Sequence, residues 1–332
     1  MAAVTGIPTT ILVAPDSFKG TFSAVEVTAA IARGLEAAGR PVDPCPVADG
    51  GEGTLDALVG ALGGSPVAVQ VADPLGRPID AGFALIDGGA RAIVETAAAS
   101  GLGLVPATDR DPLAASTRGT GELIVAAVEA GAETVLVGVG GSATTDGGAG
   151  AIASINDAGG LGRARLIVLC DVQTPFEDAA RIFAPQKGAD RDAVRRLSRR
   201  LHDQARRLPR DPRGVPMTGA AGGLSGGLWA AFGAALVPGA GFILDALGFD
   251  PRMRAARAVV TGEGRLDMQS LAGKAVSEVA TRARQAGVPC HAIVGERRLD
   301  AFGARILDLQ AVLEAGTLDE IEAAGAELAG LI

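Results

Sequence analysis

Short apolar runs alternate along the chain with stretches of helical period, the pattern of an α/β protein built on a parallel sheet. Thr10–Ala14 is the first such run. Ser23 and Glu26 form a capping box for a helix reaching Ala38, which Gly39 and Pro41 stop. Val42–Val47 predicts a second strand, and Thr54–Leu62 a helix closed by Gly63 and Gly64. The texture then changes. Val67–Val71, Ile79–Ile86 and Ala92–Glu95 are short strands separated by turn residues (73–76 and 87–89), which predicts an antiparallel meander.

Helix Thr120–Ala130, strand Thr134–Val139, a glycine-rich loop, a helix near Ala149–Asp157 and strand Leu166–Cys170 follow. Asp190–Leu208 predicts an arginine-rich amphipathic helix with Val194, Leu197 and Leu201 inward. Beyond it, Ala258–Thr261, His291–Val294 and Gln310–Leu313 are strands. Leu271–Ala286, Ala301–Leu307 and Thr317–Leu331 are helices, the last opened by a second capping box, Thr317 with Glu320. The expected fold is α/β: a doubly wound Rossmann-like parallel-sheet domain with a second, inserted α/β domain. Residues 1–65, 115–150 and 255–332 are assigned to the first, and 66–114 and 151–254 to the second.

Composition narrows the partners. The 332 residues are 48% hydrophobic and 20% charged, a globular profile, with a net charge of −8 that opposes nucleic acid and anionic membranes. Aromatics make up 3%, so base stacking has almost no raw material. Gly214–Leu244 is uncharged, but its prolines and glycines predict a buried loop and a short core helix rather than a membrane span. Cys45, Cys170 and Cys290 are widely separated and outside metal-ligand spacing, which fits a reducing cytoplasm. No basic segment precedes the first strand, so no secretory signal is expected. His202 falls on the arginine-rich helix and His291 at a strand start, an arrangement that disfavours a Ser-His-Asp hydrolase.

Of 30 basic residues only Lys19, Lys187 and Lys274 are lysines. Asparagine occurs once and tyrosine never, as expected of GC-rich coding that replaces lysine wherever arginine will serve. The surviving lysines are therefore candidates for sites that need a compact charge rather than a planar fork.

Five segments share one design, a strand end followed by Gly, Ser/Thr and carboxylates: 15–20, 49–54, 138–148, 170–172 and 261–267. Ligands of open α/β sheets bind at such strand ends. Glycine turns let backbone N–H groups approach an anion, and magnesium sits on one or two carboxylates plus phosphates. Together the segments point to phosphoryl transfer. Gly138-x-Gly140-x-x-Ala143 also matches a dinucleotide fingerprint, but the next strand-end acid, Asp171, lies 28 residues beyond Ala143, where the fingerprint wants about 20. Gly273-Lys274 lacks the remaining P-loop residues.

These motifs resemble the type I glycerate kinase family. The resemblance runs from Ile11 to Glu296 through 14–20 (APDSFKG), 47–54 (VADGGEGT), 97–102 (AAASGL), 119–124 (GTGELI), 140–144 (GGSAT), 146–150 (DGGAG), 170–172 (CDV), 185–188 (PQKG), 219–223 (GAAGG) and 261–267 (TGEGRLD). It implies a two-domain α/β enzyme that uses ATP and Mg2+ to phosphorylate D-glycerate, usually at the 2-hydroxyl. The chain departs from the family at Thr145, where asparagine is usual, in a shortened 150–166 stretch, and in a trimmed end.

Phosphoryl transfer needs positioning, charge neutralisation and a base near the attacking hydroxyl. Asp171 or Asp16 is the candidate base, with Lys19 and Lys187 also catalytic. Ser17, Arg265, Asp267 and Lys274 are assigned to substrate. Gly140, Gly141, Ser142, Thr144, Gly147 and Gly148 are assigned to the ATP phosphates. Asp49, Glu52, Asp146 and Glu263 are assigned to magnesium, with Asp267 competing. The partner is a small molecule, with no nucleic acid or membrane, and the chain is expected as a monomer or homodimer in the cytoplasm. A kinase giving 3-phosphoglycerate or acting on another small hydroxy acid, a nicotinamide-dependent oxidoreductase and a non-catalytic anion-binding protein remain alternatives.

Overall fold

The computed structural model describes residues 9–51 and 53–332. Its strands are β1 (Ile11–Pro15), β2 (Val42–Pro44), β3 (Ser65–Ala72), β4 (Pro78–Ile86), β5 (Arg91–Glu95), β6 (Thr134–Gly138), β7 (Arg165–Leu169), β8 (Ala235–Val237), β9 (Ala258–Leu266), β10 (Cys290–Arg297) and β11 (Leu309–Glu314). The chain divides into two compact units, residues 1–49 with 240–332, and residues 50–239.

Unit 1 is built on a five-stranded sheet of order β11-β10-β9-β1-β2, every pair parallel. Its core is aliphatic: Ile11, Val13, Val260 and Ile293 from strands meet Val27, Ile31 and Leu35 of helix Ala24–Ala37. Both predicted capping boxes form, at Ser23 with Glu26 and at Thr317 with Glu320.

Unit 2 carries a six-stranded sheet of order β3-β4-β5-β6-β7-β8. The predicted meander is present, since β3, β4 and β5 pair antiparallel, and from β5 onward the pairing is parallel. Helix Arg191–Ala205 buries Leu197 and Leu201 completely, while Val194 is only partly covered. Among the described residues no helix is long and apolar enough to cross a membrane.

The two-unit α/β architecture matches expectation, but the boundaries differ. Helix Thr54–Leu62 and the segment 115–150 belong to unit 2, and residues 240–254 to unit 1. Strand β6 pairs with β5, in register Arg91↔Thr134, so it extends the meander sheet instead of joining the terminal strands. Hydrophobic period identifies a parallel strand without saying which sheet it joins. The uncharged stretch also differs from the short core helix expected. It contains helix Ala220–Phe232, interrupted by three left-handed residues (221–223), then β8 and helix Gly239–Ala246.

Candidate active site

In unit 1 the register Pro15↔Gly262 sets the carboxyl end of β1 beside β9, so Asp16 follows one strand close to Glu263 on the other. Asp16 is 3% exposed, and its Oδ1 accepts the Ser17 N–H at 2.7 Å. Lys19 Nζ donates to Asp49 Oδ2 at 2.7 Å. Burial pushes the Asp16 carboxyl up to about 8, the Asp49 carboxylate adds to this, and the Lys19 ammonium opposes it. Partial burial pulls Lys19 down, but Asp49 and Asp16 outweigh it and hold the ammonium above its ordinary range. The result is a buried carboxyl held well above its ordinary range beside a fixed cation, a setting that suits a general base.

Glu263 is also buried, and burial raises its carboxyl. Its Oε1 has no hydrogen-bond partner among the described residues. Lys274, at the N-cap of helix Ala275–Ala286, places Nζ 4.0 Å from Glu263 Oε2. The predicted loop 261–267 is instead strand as far as Leu266, because Glu263, Arg265 and Leu266 pair with Val294, Glu296 and Arg297 of β10. Arg265 is exposed and ion-paired with Glu296 at 3.0 Å. Asp267 holds a turn: its N–H donates to Ser270 Oγ, and its Oδ1 accepts the Gln269 N–H. Asp16, Ser17, Lys19, Asp49, Glu263 and Lys274 thus come together; Asp267, besides holding its turn, is close enough to help raise the Glu263 carboxyl, while Arg265 is engaged by Glu296. Glu52 lies outside the described residues.

Unit 2 centres on the loop after β6. Residues 101–102 and 141–143 hold it in place: Gly101 bridges Ser142, the Leu102 N–H donates to Gly141, and the Ala143 N–H to Ser100. Lys187 ends a short helical turn, 3% exposed, and its Nζ donates to Ser142 Oγ at 2.9 Å and to the Thr144 carbonyl at 2.5 Å. Burial pulls its ammonium down to about 7, against the attraction of Asp146. The hydroxyls of Thr144 and Thr145 are buried without a partner among the described residues. Arg110, which the sequence pattern does not single out, lines one small pocket with Lys187 and Ala143. Its Nε is likewise buried without a partner. These cations and hydroxyls suit an anionic group.

The glycines of this loop answer first to packing. A Cβ on Gly140 would lie 2.4 Å from Gly51 Cα. Gly147 and Gly148 have φ of +65° and +78° and pack against Gln204 and Leu224. Asp171 is half-buried two residues beyond β7, and its charge helps burial raise the Cys170 thiol. All three cysteines are buried and free of disulfides.

Asp146 has a role of its own. Its Oδ2 accepts the Thr117 N–H, the Thr117 hydroxyl and the Gly150 N–H, and its Oδ1 accepts the Gly148 N–H. Both oxygens therefore cap helix Ala149–Asp157 and tie it to Thr117, a partner no sequence signal marks. Asp146→Ala should cost about 2–4 kcal/mol in urea unfolding, the loss of several charge-assisted hydrogen bonds. Unchanged stability would show that these bonds are dispensable and leave Asp146 free to hold a cation.

Among the described residues no group of three or more His, Cys, Asp or Glu side chains could hold a metal. Magnesium needs less, one or two carboxylates with phosphate and water. The unpartnered Glu263 Oε1 and the hard oxygen donors of Asp49 and Glu263 fit that requirement.

The glycerate kinase family model matches residues 11–158 and 157–320. A Bacillus subtilis glycerate kinase is 40% identical over 328 residues, covering 88% of this chain and 86% of its own. The Escherichia coli glycerate 2-kinase is 38% identical over 355 residues, covering 93% and 92%. A solved structure from Salmonella typhimurium LT2, provisionally assigned as glycerate kinase 2, superposes with a TM-score of 0.81 at 34% identity over 98% of both chains. The chain belongs to the glycerate kinase family and is a phosphotransferase with an alcohol group as acceptor.

Proposed function

We propose that the protein phosphorylates D-glycerate with ATP and magnesium to give 2-phosphoglycerate, in the cytoplasm. One observation carries the mechanism: a buried carboxyl, Asp16, sits beside the Lys19–Asp49 pair at the end of a parallel strand, where burial raises it above the ordinary carboxylate range. Asp16 takes the proton of the attacking hydroxyl, with Asp171 as the other candidate. Lys19, Lys274 and Ser17 hold the glycerate carboxylate. Asp49 and Glu263 would hold magnesium, which when bound supplies neutralisation of phosphate charge. Lys187, Arg110, Ser142 and Thr144 are the candidates for the ATP phosphates. The name of the E. coli relative supports the 2-hydroxyl as acceptor.

Purified protein should release ADP only when ATP, Mg2+ and D-glycerate are all present, at a rate well above that with other small hydroxy acids. No ADP from folded protein across divalent metals would refute the reading. A shift of NADH fluorescence on titration would favour the oxidoreductase alternative.

A further inference from the structure

Unit 2 carries a groove of about 560 Å³ along helix Arg191–Ala205, lined by the side chains of Arg196, Arg199, Arg200 and Arg207. The helix sorts its charges by face. Ala193, Leu197, Leu201 and Ala205 are buried. Arg195 pairs with Asp192, and Arg206 with Asp203 at 3.7 Å. The four groove arginines have no carboxylate ion-pair partner among the described residues. Arg200 spends its hydrogen bonds on neutral carbonyls, those of Leu113 at 2.9 Å and Thr145 at 3.3 Å, so its charge stays uncompensated.

Like charges three and four residues apart repel one another, and a ligand anion relieves that cost. Two carboxylates also line the groove, Asp203 and Asp146, which leaves a surplus of two positive charges. Both are already engaged, Asp203 with Arg206 and Asp146 with four donors. Ala149, the first residue of helix Ala149–Asp157, lines the groove as well, so a helix N-terminus adds its dipole in the same sense. The volume lies in the range of small-molecule sites, and guanidinium forks match phosphate oxygens. A long polyanion is opposed by the net charge of −8.

We propose that this groove is a second anion site, which takes a small phosphomonoester or diphosphate and is separate from the Lys187 loop. Calorimetric titration with inorganic pyrophosphate at low ionic strength tests it. Arg196→Gln/Arg199→Gln should weaken pyrophosphate binding at least about tenfold, as expected on losing two charged donors. Arg181→Gln/Arg195→Gln, removing the same charge from arginines paired with Asp178 and Asp192 outside the groove, should change it by less than about threefold. ATP affinity, titrated on the same variants, should be unaffected. Three results would each overturn the proposal: no wild-type binding at millimolar pyrophosphate, equal weakening in both variants, or a parallel loss of ATP affinity that assigns the groove to the nucleotide site.

Discussion

Asp16→Asn should lower kcat for glycerate-dependent ADP formation by ~10²–10⁴, the range for loss of a general base, with little change in KM for ATP. The substitution keeps the shape of the side chain and removes its ability to accept a proton. In the wild type, kcat/KM should rise with pH as the raised Asp16 carboxyl ionises. Stability should move the other way. The folded carboxyl keeps a proton that the unfolded chain has released at any pH between 3.8 and about 8. The native state therefore binds more protons in that window, and this group makes stability fall as pH rises through it. Asp16→Asn removes that slope, so urea unfolding in chelator at pH 5 and pH 8 should show the variant gaining on wild type at pH 8. If Asp16→Asn stays within about threefold of wild type while Asp171→Asn loses ~10² or more, the base is Asp171.

Lys187→Arg should destabilise the protein by about 3–5 kcal/mol, the cost of an uncompensated buried charge. Lysine can meet this site by losing its proton, and burial pulls it down to about 7. Arginine cannot lose its proton and is wider. Between about 7 and 10.5 the unfolded chain holds a proton that the folded chain lacks, so this group makes stability rise with pH across that window and not below it. Lys187→Met removes the charge at similar volume. It should keep its Tm near wild type at pH 7 and lose kcat/KM, with the loss appearing in ATP binding. A stable, active Lys187→Arg protein would contradict the burial and the paired acceptors at this position.

Much of this was legible in the sequence, for identifiable reasons. Capping boxes declare themselves through two side chains three residues apart, and both form as expected. Strand ends announce ligand edges, which is why Asp16, Lys19 and Asp49 stand out before any coordinates. Scarcity of lysine drew attention to Lys187, whose burial no local pattern reveals. The misses are those of long-range pairing. β9 runs on through Glu263 and Arg265 because β10 offers partners far away in sequence. Helix Ala220–Phe232 hides behind glycine content, its left-handed stretch at 221–223 packed against Thr144, Thr145 and Gly147. Asp146 has a metal-ligand residue type, yet its bonds go to backbone amides and Thr117, a contact 29 residues back. The family match falls into two segments that meet at 157–158, at the end of helix Ala149–Asp157. Helix Ala149–Asp157 ends there in Gly159 and Gly160, each with φ of +90°, before β7.

Phosphorus NMR of the mixture formed from ATP, Mg2+ and D-glycerate tests the kinase reading most directly, because one spectrum reports both turnover and the position of the phosphate. The expected result is conversion of ATP to ADP with one new phosphomonoester resonance matching 2-phosphoglycerate. A resonance matching 3-phosphoglycerate would contradict the proposed acceptor hydroxyl, and unchanged ATP in the presence of folded protein would contradict the kinase itself.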